Sequence, residues 1–85
     1  MGNVLVKIRV MSENVEINLD ELENEIKEKI NPEKVEREPI AFGLVALIIY
    51  KIIPDDAKYL EEIENKLKEI EGIKNLEVLQ VSRTL

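Results

Sequence analysis

Few side chains in this 85-residue sequence can carry covalent chemistry. It contains neither histidine nor cysteine, which removes together the usual general base, the most common metal ligand and the thiolate nucleophile. Serine occurs only at Ser12 and Ser82, and neither stands in the strand-to-helix Gly-x-Ser-x-Gly context that activates a hydroxyl. Carboxylate pairs such as Asp55-Asp56 and Glu61-Glu62 are accounted for by the capping and solvation of a helix. Gly2, Gly43 and Gly72 are isolated, so no GxxxxGKS/T loop can cradle a phosphate. These patterns predict a protein with no bond-making chemistry and no cofactor of its own.

What remains is recognition, and one segment stands out for it. Glu38-Pro39-Ile40-Ala41-Phe42-Gly43-Leu44 places the only phenylalanine of the chain among small residues, where an aromatic ring is expensive to expose. Sequence physics favours a ring folded back onto the core, with Gly43 merely permitting the turn. The other reading is a projecting hot spot, since a rigid aromatic on a tight turn enters a partner's pocket at small entropic cost. The end of the chain, Val81-Ser82-Arg83-Thr84-Leu85, reads by default as a frayed tail. Alternatively Arg83, near the end of an edge strand, presents a fixed cation and Leu85 an apolar group.

Charge narrows the partners. Eighteen acidic against 12 basic residues give a net charge of −6, which repels a phosphate backbone. A sheet that stacks nucleic-acid bases also needs several aromatic residues on its central strands, and Tyr50 is the single aromatic available there. Direct nucleic-acid binding is not expected. Lys7, Arg9 and Lys51 read as solvated strand residues. The longest mostly apolar run, residues 40–53, contains Lys51 and falls short of the ~20 residues that span a bilayer, so it is read as core. No basic region followed by an apolar stretch and a cleavage site marks the start, so the expectation is a cytoplasmic protein without a membrane anchor.

The elements that position these residues follow from periodicity. Val4, Val6, Ile8 and Val10 alternate with Leu5, Lys7 and Arg9, the pattern of a strand with one covered face. Beyond a polar turn at Ser12-Glu13-Asn14, Leu19, Leu22, Ile26 and Ile30 form a helical stripe. Asn18 is its N-cap, with Glu21 completing a capping-box-like start, and Asn31-Pro32 ends it. Residues 35–41 read as a short strand that Pro39 confines to an edge. Residues 44–53 read as an interior strand, with either Leu47 and Ile49 or Ile48 and Ile52 facing inward. Asp55-Asp56 opens a second helix striped by Leu60, Ile63, Leu67 and Ile70, Gly72 supplies its left-handed stop, and a last strand covers residues 73–81. The order βαββαβ predicts one α+β domain over residues 1–85: a ferredoxin-like sandwich of a four-stranded antiparallel sheet with both helices on one face. That fold hosts many functions, so it leaves the role open.

Three stretches then carry a family likeness: Met1-Gly2-Asn3-Val4 leading into Lys7-Ile8-Arg9-Val10, Glu38-Pro39-Ile40-Ala41-Phe42-Gly43-Leu44, and Glu77-Val78-Leu79-Gln80-Val81-Ser82-Arg83. Together they resemble archaeal elongation factor 1-beta over essentially the whole chain. The resemblance implies a monomeric guanine-nucleotide exchange factor that binds elongation factor 1-alpha and destabilises its GDP and magnesium so that GTP can enter. It implies a partner-binding surface made of Pro39, Ile40, Ala41, Phe42 and Gly43 and of the C-terminal Arg83, Thr84 and Leu85. In that family the aromatic of the Phe-Gly turn packs on the GTPase, and a basic residue at the C-terminus disturbs the magnesium and phosphate end of the nucleotide site. Phe42 matches the first directly. Eukaryotic members place a lysine where this chain has Thr84, and the nearest cation is Arg83. The rival expectation is a ferredoxin-like binding or ligand-sensing module without exchange activity.

Overall fold

The computed structural model describes residues 2–84. Strand β1 (Asn3–Ser12) buries every second side chain, Val4, Val6, Ile8 and Val10, because successive residues of a strand point to opposite faces. Helix α1 (Leu19–Ile30) turns Leu22, Ile26 and Ile30 onto that same face. At its start the Asn18 Oδ1 accepts a hydrogen bond from the Glu21 N–H at 3.1 Å, satisfying one of the free amides of the first turn. At its end Asn31 takes a left-handed conformation (φ 46°), and its N–H closes on the Lys27 carbonyl.

Strands β2 (Lys34–Pro39) and β3 (Val45–Pro54), helix α2 (Ala57–Lys68) and strand β4 (Ile73–Arg83) complete the order βαββαβ. The strands form one sheet in the order β2-β3-β1-β4, with every neighbouring pair antiparallel. Leu22, Ile26 and Ile30 of α1 and Ile63 and Leu67 of α2 share one core with the inward residues of β1 and β3. The fold is the ferredoxin-like α+β sandwich, with β2, which carries Pro39, at one edge and β4 at the other.

The register of β3 is settled by its neighbours. Leu47, Ile49 and Ile53 join the core beneath the helices, which places Lys51 on the covered face as well. That position tolerates a lysine because its Nζ reaches the carbonyl of Asn31, 2.9 Å away at the end of α1. A cation there meets the negative end of the helix. On the opposite face Ala46 and Ile48 are also buried, with Arg9 and Glu36 directly across from Ile48 on the two neighbouring strands. Burial on both faces explains why this strand is almost continuously apolar.

Several boundaries differ from the sequence expectation, among them that of β2, which ends at Pro39 where the pattern predicts a strand over residues 35–41, because Ala41 already belongs to the tight turn closed on Leu44. Helix α2 stops at Lys68, and the N–H of Glu69 returns to the carbonyls of Lys66 and Leu67. Gly72 therefore does not cap the helix. With φ +95° it turns the chain into β4, where its carbonyl accepts the Glu13 N–H at 2.9 Å. The last strand also runs to Arg83 instead of stopping at Val81.

Candidate partner-binding site

The segment between β2 and β3 is closed by two backbone hydrogen bonds, from the Ile40 N–H to the Leu44 carbonyl (2.8 Å) and from the Leu44 N–H to the Ala41 carbonyl (3.3 Å). Between them the chain reverses through two successive residues of positive φ, Phe42 at 62° and Gly43 at 77°. Glycine adopts that conformation freely, whereas for another L-residue it costs about 1–2 kcal/mol. The geometry holds the Phe42 ring outward, 94% exposed. The inward-folded ring favoured from sequence is therefore wrong. So short a closure through left-handed residues aims the side chain away from the sheet, and the core is sealed without it.

A neighbour that sequence reasoning missed stands beside this turn. A methyl of Val15, in the loop between β1 and α1, lies 3.8 Å from where a Cβ on Gly43 would sit. Val15 is itself 61% exposed. The loop that presents it is well tied: the Asn14 Oδ1 accepts the Glu16 N–H at 2.8 Å, and the Asn14 carbonyl accepts the Ile17 N–H and the Ser12 hydroxyl. The available signal was a β-branched apolar residue set between Asn14 and Glu16, where turns favour polar or small residues.

The C-terminal candidates lie elsewhere. Arg83 pairs with Val4 across the β1–β4 ladder, while the Phe42 turn adjoins Ala46, which faces Met11 on β1. The two groups thus occupy opposite ends of the sheet, separated along β1 by roughly 23 Å at ~3.3 Å per residue. The structure brings Pro39, Ile40, Ala41, Phe42 and Gly43 together and leaves Arg83 and Thr84 apart from them. Neither of these last two is frayed. The Thr84 N–H and hydroxyl both donate to the Asn3 carbonyl, at 3.1 and 3.2 Å. Arg83 projects an 85% exposed side chain, its Nη2 3.7 Å from Asp55 Oδ2. Leu85 lies outside the described residues.

The carboxylate pair before α2 divides its work. Asp56 is the N-cap, its Oδ1 accepting the Lys58 N–H at 3.0 Å, whereas the Asp55 carboxylate faces Arg83. Glu62 pairs with Lys66 one turn later on α2 at 3.4 Å. On the uncovered face of the sheet, Tyr50 sits between Lys7 and Lys34, whose ammonium groups lie 5.6 Å from its ring centre. The Tyr50 hydroxyl, as hydrogen-bond partner, pulls the Glu36 carboxyl below its ordinary pKa, and Glu36 raises that of Tyr50. Among the described residues no group of three acidic side chains converges as a metal site.

Fold and site together describe a ferredoxin-like protein that holds an apolar side chain out on a strained turn. The chain belongs to the EF-1 guanine nucleotide exchange domain family, whose model matches residues 5–84. It is 49% identical to elongation factor 1-beta of Pyrococcus furiosus, over 95% of this chain and 94% of that protein. It is 42% identical to elongation factor 1-beta of Methanothermobacter thermautotrophicus over the full length of both.

Proposed function

We infer that the protein is a guanine-nucleotide exchange factor for elongation factor 1-alpha, its residues 1–85 forming one exchange domain, monomeric until it meets the GTPase, in the cytoplasm. Family membership supports the activity and the partner. The observation that carries the site is Phe42: an aromatic side chain held almost wholly in solvent by backbone that is itself unfavourable. Strain of this kind persists where the surrounding structure imposes it and where function uses it.

Exchange needs no covalent step. A factor that binds nucleotide-free GTPase more tightly than GDP-bound GTPase weakens GDP by the same ratio, because the coupling between the two ligands is reciprocal. Phe42, with Pro39, Ile40, Ala41 and Gly43 shaping its turn, docks in an apolar pocket of the GTPase and supplies binding energy. Arg83, with Thr84 and Leu85, brings a cation toward the end of the nucleotide site that holds magnesium and the β-phosphate, where it competes with the metal. Because the two groups sit at opposite ends of the sheet, they meet separate parts of the GTPase.

The test is release of a fluorescent GDP from elongation factor 1-alpha with and without this protein. Wild-type protein is expected to accelerate release. Phe42→Ala, at unchanged thermal stability, should lose roughly tenfold or more of that acceleration at limiting factor, the effect of an aromatic hot spot of ~2 kcal/mol. Full activity in a folded Phe42→Ala protein would reject the docking role.

A further inference from the structure

We propose that Val15 is a second apolar contact of this interface, entering the same hydrophobic depression of the GTPase as Phe42. This rests on the exchange-factor reading and extends it to a loop distant in sequence. Large apolar side chains at least a third exposed are few among the described residues, and Phe42 (94%) and Val15 (61%) are the two most exposed of them. They belong to different loops, yet a Val15 methyl comes within 3.8 Å of the Cβ position of Gly43, the residue next to Phe42. Ile40, 38% exposed, continues the same end of the molecule. The apolar tip is therefore built by convergence of two turns.

Nothing local explains a valine at position 15. The turn around it is held by Asn14, whose side chain accepts the Glu16 N–H, and a β-branched residue adds no turn propensity there. Folding does not use the side chain either, because most of it stays in water. The core anchor of the loop is Ile17, which packs against the core cluster and lies 3.4 Å from the Cβ position of Gly72. Ile17 fixes the loop from below while Val15 faces out. Exposed Glu13 and Glu16 lie on either side of Val15, which suits an apolar depression with basic side chains at its rim.

GDP release measured across a range of factor concentrations tests the assignment, with Val15→Ser, Val15→Ile, Phe42→Ala and the Val15→Ser/Phe42→Ala pair compared with wild type. Val15→Ser should melt as wild type does. It should need about fivefold to tenfold more factor for half-maximal acceleration, the effect of withdrawing one branched aliphatic side chain from an interface. Val15→Ile should restore the wild-type concentration. In the double variant the two losses should combine to less than their product, as expected of side chains sharing one pocket. An unchanged half-maximal concentration for Val15→Ser beside an impaired Phe42→Ala overturns the role of Val15 and leaves the exchange reading standing. Wild-type behaviour of both single variants overturns the interface itself.

Discussion

At the scale of single residues, Phe42 combines two costs that folding would avoid: a ring in water and a left-handed backbone. Its ring is 94% exposed at φ 62°, so its removal forfeits almost no buried area, while glycine would relieve the backbone. Phe42→Gly is therefore expected to raise stability by about 1 kcal/mol, or roughly 4–8 °C in Tm for a chain of this size, while it abolishes most of the exchange activity. Thermal unfolding and GDP release on the same sample check both halves, and a lowered Tm would show that the ring contributes packing to the fold. The opposing signs are the signature of a residue kept for function at a cost in stability. The segment was legible in the sequence as unusual, but its direction was not. Apolar residues usually go inward, and the sign of φ at a non-glycine residue leaves no periodic trace.

At the scale of elements, the strands and helices were legible because each shows one period: alternation in β1, a three-and-four stripe in α1 and α2. Periodicity leaves the register of β3 open, since both its faces are apolar and either register buries isoleucine. The core takes Leu47, Ile49 and Ile53, and Lys51 fits on that covered face because the end of α1 offers it the Asn31 carbonyl. That is a contact between residues 20 apart, invisible to local patterning. The end of β4 escapes local patterning for a similar reason, as Thr84 is held by Asn3 from the other end of the sequence. Asp55 and Asp56, alike in sequence, separate once α2 is placed. Asp56→Ala should cost about 1 kcal/mol through the lost N-cap. Asp55→Ala should change stability by less than ~0.5 kcal/mol, because its partner Arg83 is an exposed side chain in a loose surface pair. Chemical denaturation of the two variants distinguishes them, and equal losses would show that the capping role is shared.

At the scale of the whole molecule, the described residues extend over 42 Å in their longest dimension, with the Phe42 turn toward one end of the β1 ladder and Arg83 at the other. The family likeness made both groups candidates, but only the antiparallel register shows that they cannot act on one spot. A four-stranded sheet, with a core joining both helices to β1 and β3, fixes the spacing between them, so on the proposed reading the GTPase would be held at two separate places. Two such contacts share no neighbouring side chain of this protein and lie well beyond the ~7–10 Å within which substitutions interact. The losses in factor affinity caused by Phe42→Ala and by Arg83→Ala should accordingly add, to within about 0.5 kcal/mol, in the double variant. Binding of each variant to nucleotide-free elongation factor 1-alpha, measured by titration, gives the cycle directly. A double variant no weaker than Phe42→Ala alone would mean that Arg83 engages only after the aromatic end has docked. The two ends would then work in sequence, as steps of one motion of the GTPase, instead of as independent grips.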